Sequence, residues 1–168
     1  MNTETSLPVT DNDDLPRASV LIVDDTPENL VALEVVLEDV DCDLVTAGSG
    51  NDALAKLLKQ EFALVLLDVQ MPVMDGFEVA ELMRANKRTA NVPIIFVTAN
   101  SRDDRNIKRG YQSGAVDYLF KPIDPMMLRS KVEFFLQLDR QKRRLEAKLA
   151  KARASERAMN EAWFGKPQ

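Results

Sequence analysis

Ser19-Val20-Leu21-Ile22-Val23-Asp24-Asp25 is an unbroken apolar, β-branched run that stops on two acids. A run this short without polar alternation suits a strand covered on both faces, as in a parallel sheet. Pro27 stands where a first helical turn tolerates proline, and Leu30, Leu33, Val36, Leu37 and Val40 then recur at helical spacing. The strand-then-helix pattern repeats. Asp43 to Ala47 is a predicted strand, Asn51 to Gln60 a helix, Ala63 to Leu67 a strand ending at Asp68, and Gly76 to Asn86 a helix. Val92 to Val97 makes a fourth strand, followed by a polar helix from about Asp103 to Ser113, a short strand Val116 to Leu119, and a helix opening near Asp124 and Pro125. Five βα units joined by crossover helices predict an α/β fold: a doubly wound parallel sheet with helices on both faces.

The rest of the chain bounds this core. Its 168 residues suffice for one ordinary domain and an appendage, and 45% hydrophobic with 29% charged residues is a globular composition. A net charge of -5 at pH 7 argues against direct nucleic-acid binding, which needs a basic face. Cys42 is the only cysteine, so no internal disulfide forms, and it reads as a small core residue. Residues 1–16 are polar and read as a disordered leader. They lack a basic start and an apolar stretch, and no later segment approaches a membrane span, so a cytoplasmic protein with no membrane contact is expected.

In such sheets chemistry collects where the strands finish. Asp24 and Asp25 follow the first predicted strand, Asp68 ends the third, Thr98 ends the fourth, and Lys121 follows the fifth. An acidic pair after a strand is ordinarily a turn or a helix cap, Thr98 alone a strand residue, and Lys121-Pro122 alone a loop. Together, at separate strand ends, they form a site. Three crowded carboxylates call for a hard divalent cation, and Mg²⁺, for which Mn²⁺ can substitute, favours such oxygen ligands. Three aspartates, one lysine and Mg²⁺ are formally neutral, so the site can accept a phosphoryl anion. Asp68 is the candidate nucleophile, with Lys121 and the metal offsetting charge on the transferring oxygens.

These stretches resemble the response-regulator receiver domains of two-component signalling, over about Ser19 to Leu138. The signatures are Val20-Leu21-Ile22-Val23-Asp24-Asp25, Leu67-Asp68-Val69-Gln70-Met71-Pro72-Val73-Met74-Asp75-Gly76, Val97-Thr98-Ala99 and Gly114-Ala115-Val116-Asp117-Tyr118-Leu119-Phe120-Lys121-Pro122. The resemblance implies a flavodoxin-like (βα)5 fold with strand order 2-1-3-4-5. It implies that Asp68 is the phosphoacceptor, that Asp25, Asp68 and the Gln70 carbonyl ligate Mg²⁺, and that Asp24 helps through water. Lys121 would contact the phosphoryl group and Thr98 would move to hydrogen-bond it. Tyr118 would change rotamer on the face formed by the fourth helix, fifth strand and fifth helix. Gln70 and Asn100 bear on the lifetime of the phosphorylated form, and Lys121-Pro122 is expected to be cis. The resemblance implies a phosphohistidine donor, and with no histidine in this sequence that donor is another polypeptide, a sensor kinase or a phosphotransfer protein; small acyl phosphates are the alternative donors.

Helical character continues past the expected end of the receiver domain, residues 17–138, through residues 139–164, leaving 165–168 as a tail. Leu128, Lys131, Phe135, Leu138, Lys142, Leu145, Leu149, Ala152, Glu156, Met159 and Trp163 alternate by three and four, the rhythm of a coiled coil, here expected as a parallel dimer rather than a single solvated helix or a frayed end, with the early members also packing on the domain's own sheet. A homodimer through this helix, the fourth-helix to fifth-helix face, or both is expected, with phosphorylation changing the pairing. Two other readings compete. A metal-dependent phosphohydrolase would be expected to carry a second aspartate two residues past the nucleophile, where Gln70 stands, so enzymatic turnover is not expected. A phosphorylation-independent dimerisation scaffold would be indifferent to Asp68.

Overall fold

The structure, a computed structural model, describes residues 15–99, 104–112, 114 and 117–165, with 104–106 as backbone. Strands β1 (Ser19–Val23), β2 (Asp43–Ala47), β3 (Leu64–Asp68), β4 (Ile94–Thr98) and β5 (Asp117–Phe120) alternate with helices α1 (Pro27–Leu37), α2 (Gly50–Lys59), α3 (Gly76–Ala85), α4 (Asp104–Gln112) and α5 (Pro125–Phe164). All neighbouring strands are parallel, in the order β2-β1-β3-β4-β5. This is the flavodoxin-like arrangement. The chain crosses from β1 to β2 on one side and from β2 over β1 to β3 on the other, so the order reverses between β1 and β3. The crevice at that reversal receives the carboxyl ends of both strands.

Strand alternation divides the core. Leu21, Val23, Val65, Leu67, Ile94 and Phe96 point to the face covered by α2, α3 and α4, where Ala53, Leu57, Val79, Ala80 and Met83 meet them. Val20, Ile22, Leu64, Leu66, Ile95 and Val97 point to the other face, beneath Leu33 and Leu37 of α1 and Leu128, Val132 and Leu136 of α5. Because β1, β3 and β4 are buried on both faces, their sequences show no polar alternation. Cys42 is buried and free.

Two local expectations shift. Val40 is buried but lies outside α1, which ends at Leu37; its N–H donates to the Leu37 carbonyl at 3.0 Å in the turn that follows. On α5 the sheet-facing stripe is Leu128, Val132 and Leu136, spaced by four; of the early heptad positions Leu128 belongs to it, as expected, while Val132 and Leu136 lie off the heptad seam. Lys131 instead pairs with Asp117 on β5, and Phe135 is only partly buried. Asp124 caps α5 by accepting from the Met126 and Met127 N–H groups, and Pro125 occupies its first turn. Among the described residues no helix is long and apolar enough to cross a membrane. Residues 1–14 of the expected leader, residues 166–168 of the tail and Asn100 lie outside the described residues.

Candidate functional site

The β1, β3, β4 and β5 termini bring the predicted residues to one edge of the sheet. Asp24, Asp25 and Asp68 each offer a carboxylate oxygen within 4.8 Å of the others. Asp24 is 1% and Asp68 5% exposed, whereas Asp25 faces solvent. Lys121, just past β5, sets its ammonium 3.3 Å from Asp24 Oδ2 and 3.9 Å from Asp68 Oδ1. The Lys121-Pro122 bond is cis. Thr98, at the end of β4, is 6% exposed, and its carbonyl accepts from the Lys121 N–H at 2.8 Å.

Asp24 is held rigidly. Its Oδ1 accepts from the Thr26 N–H at 2.9 Å, and the Asn29 amide reaches both oxygens at 3.2 and 3.1 Å. Asp68 has weaker support, a 3.4 Å contact from the Gln70 N–H. Burial, and after it the neighbouring Asp24 charge, push the Asp68 carboxyl up from 3.8 to about 6, with Lys121 and the Gln70 N–H pulling the other way. Without a cation, the protein therefore disfavours its own Asp68 charge. An all-oxygen donor set with excess negative charge and one resistant carboxyl fits a hard divalent cation.

The β3–α3 loop is folded tightly over the site. A Cβ at Gly76 would lie 2.3 Å from the Asp68 carbonyl oxygen, so only glycine allows this approach. The Gly76 N–H donates to the Val69 carbonyl at 2.9 Å, and Asp75 and Glu78 form a reciprocal capping box that starts α3. In the same loop Val73 is 98% exposed and has a φ of 69°, a conformation unfavourable to a β-branched residue.

Tyr118 lies inward, 8% exposed, within ring contacts to Phe96, Tyr111 and Phe120. Its hydroxyl donates to the Ile107 carbonyl of α4 at 3.2 Å, and burial pushes its pKa up to about 12. Gly110 makes room for it: a Cβ there would lie 1.4 Å from the Tyr118 oxygen. The sequence places Gly76 at a helix start and in the Leu67–Gly76 signature without its close approach to Asp68, and it does not single out Asn29 or Gly110 at all. Asp75-Gly76 was a visible turn signal before a helix, but nothing local marks Asn29 or Gly110, whose roles depend on how α1 sits against Asp24 and α4 against Tyr118.

Residues 20–133 match the family model of the response regulator receiver domain. The chain is 38% identical over 130 residues to a probable cyclic di-GMP phosphodiesterase of Vibrio cholerae, covering 77% of this chain and 29% of that protein. It is 39% identical over 132 residues to the response regulator PleD of Caulobacter vibrioides, covering 76% and 29%. Among solved structures it resembles the chemotaxis protein CheY4 of Vibrio cholerae at a TM-score of 0.67 and 32% identity, over 71% of this chain and 99% of that one. The chain thus spans about three tenths of these two longer relatives. A converging acidic site on a 2-1-3-4-5 sheet, together with these matches, establishes that the chain belongs to the response regulator receiver domain family and is a phospho-accepting receiver of two-component signalling.

Proposed function

We propose that Asp68 is the phosphoacceptor and that a phosphohistidine on a sensor histidine kinase or histidine phosphotransfer protein is the donor. The supporting observation is that Asp68 ends β3 beside two further carboxylates, with the Lys121 ammonium 3.9 Å away. An Asp68 oxygen attacks phosphorus, the O–P bond forms as the donor's N–P bond breaks, and the departing imidazole keeps the electron pair and takes up a proton. Lys121 offsets charge on the phosphoryl oxygens, and the buried setting strengthens that effect. Asp24, Asp25, Asp68 and the Gln70 carbonyl would hold Mg²⁺, or Mn²⁺ in its place, which supplies neutralisation of phosphoryl charge when bound. Asn29 keeps Asp24 oriented toward that role.

The switch runs through Thr98 and Tyr118. Thr98 draws toward the new phosphoryl group, and the space it leaves alters the packing of Tyr118 against α4 and the α4-β5-α5 face. Gln70 and Asn100 flank the path of a hydrolytic water and set how long the acyl phosphate lasts. The receiver comprises residues 17–138, residues 139–164 form a coiled-coil extension through which two copies associate, and 1–16 and 165–168 flank them. We read the chain as a cytoplasmic signalling module whose only chemistry is gain and loss of its own phosphoryl group.

Incubation with acetyl phosphate and Mg²⁺, followed by intact mass, tests this reading. Wild type gains one phosphoryl group and Asp68→Asn gains none; equal gain by both refutes it.

A further inference from the structure

Helix α5 is 40 residues long, about 60 Å at 1.5 Å per residue; Arg140 and Arg143 still reach the body at Asp41 and the Pro16 carbonyl, but its last buried residue is Leu136. Beyond that point Leu138, Leu145, Leu149, Met159 and Trp163 are 45%, 67%, 50%, 59% and 82% exposed. They share one face. In heptad terms Lys142, Leu149, Glu156 and Trp163 take the a positions, and Leu138, Leu145, Ala152 and Met159 the d positions. Glu146 and Arg153 then fall at e and Lys148 at g, the positions that choose partner orientation.

The charges oppose a parallel pair. In register, Lys142 would meet its own copy, Glu156 likewise, and Lys148 would face the partner's Arg153 across the g–e edge, each a like-charge contact. An antiparallel pair with Leu149 beside the partner's Ala152 removes all three. It sets Glu146 against the partner's Arg153, twice by two-fold symmetry, and brings Lys142 within a turn of the partner's Glu156. Registers one heptad away in either direction would instead align Glu146 with its copy or Arg153 with its copy.

The ends of the seam support the same register. It places Trp163 beside the partner's Leu138, which borders a cleft of about 150 Å³ lined by Phe62, Val92, Pro93 and Phe135 at the base of the domain. Gly165, with a φ of 74°, ends the helix there, its N–H donating to the Glu161 carbonyl at 3.1 Å.

We infer that two copies pair through α5 in an antiparallel sense, each Trp163 seating in the other copy's Phe62–Val92–Pro93 cleft. This rests on the dimer reading above and reverses the parallel orientation expected from the heptad rhythm alone. It also places the two receiver bodies at opposite ends of one shared rod.

The test attaches a nitroxide label to Glu161→Cys in the full chain, on the helix face away from the seam, and measures label separation by pulsed electron resonance with and without Mg²⁺ and acetyl phosphate. Residue 161 lies opposite residue 140 of the partner, so antiparallel pairing gives an axial offset of about 32 Å from 21 helical rises and, with two helix widths across, a label separation of about 40 Å. A separation of about 20–25 Å, set by two helix widths, overturns the orientation while leaving the dimer standing. Light scattering that finds only monomer in both states overturns the dimer reading itself. Glu146→Arg should weaken dimerisation by about tenfold, and adding Arg153→Glu should restore it. An unchanged dimer in Glu146→Arg contradicts the pairing, and restoration by Arg153→Glu separates a lost pair from a lost fold, since Glu146 borders the cleft that Leu57 and Phe62 line.

Discussion

Replacing Asp68 by Asn should make the metal-free protein more stable, because the folded state holds this carboxyl where its charge is unwelcome. Its pKa rises from 3.8 to about 6 through burial and the Asp24 charge, against the pull of Lys121. At about 1.4 kcal/mol per tenfold change, this corresponds to about 3 kcal/mol of stability forgone once the group is ionised. Between pH 3.8 and about 6 the folded state binds more protons at this site than the unfolded state, so its contribution to stability falls as pH rises through that window. The penalty is complete above about pH 7 and absent below about pH 3.5. Urea unfolding in chelator should therefore show Asp68→Asn more stable by about 2–3 kcal/mol at pH 8, with the advantage shrinking toward zero near pH 4. A variant equal to or less stable than wild type at pH 8, or an advantage independent of pH, would refute the electrostatic account of the site.

Magnesium should raise wild-type stability and reduce the advantage of Asp68→Asn, by about 2.7 kcal/mol when the ion is at a hundred times its Kd; equal stabilisation of both proteins by thermal melts would remove Asp68 from the ligand set. Gly110→Ala should destabilise by about 1–3 kcal/mol through collision with the Tyr118 hydroxyl, and the loss should shrink in a Tyr118→Ala background, as a double-mutant cycle would read. Val73→Gly should gain about 1 kcal/mol in urea unfolding, since glycine adopts a φ of 69° without strain. Arg84 donates to the carbonyls of Ala90, Val92 and Gly114, so Arg84→Ala should cost about 2–4 kcal/mol by the same measurement.

The central sheet was legible because β1, β3 and β4 are buried on both faces and therefore spelled as plain apolar runs, each closed by an acid or a hydroxyl. Ser19–Val23 and Leu64–Asp68 needed no partner to be recognised. Site residues were legible for a related reason: parallel topology sends every strand end to one edge, so Asp24, Asp68, Thr98 and Lys121 converge once the units are counted. Val40 misled, since helical spacing cannot reveal where a helix stops and a buried turn begins. The early part of α5 was legible in part: Leu128 and Phe135 pack on the domain's own sheet as expected, but Val132 and Leu136 also turn inward. There a four-residue stripe facing the sheet overlaps a three-and-four seam facing away, and only the sheet decides which residues turn inward. Asn29 and Gly110 act through groups on or just past the neighbouring strand, Asp24 by an amide contact and Tyr118 by yielding space, and single positions carry no sign of that.

Reductive trapping of the phosphorylated protein addresses the central claim most directly. Borohydride converts an aspartyl phosphate to homoserine, and peptide mass spectrometry then locates it. Homoserine at position 68 alone is the predicted result; homoserine at position 24 or 25, or none in a chain that has gained a phosphoryl group, would contradict the account.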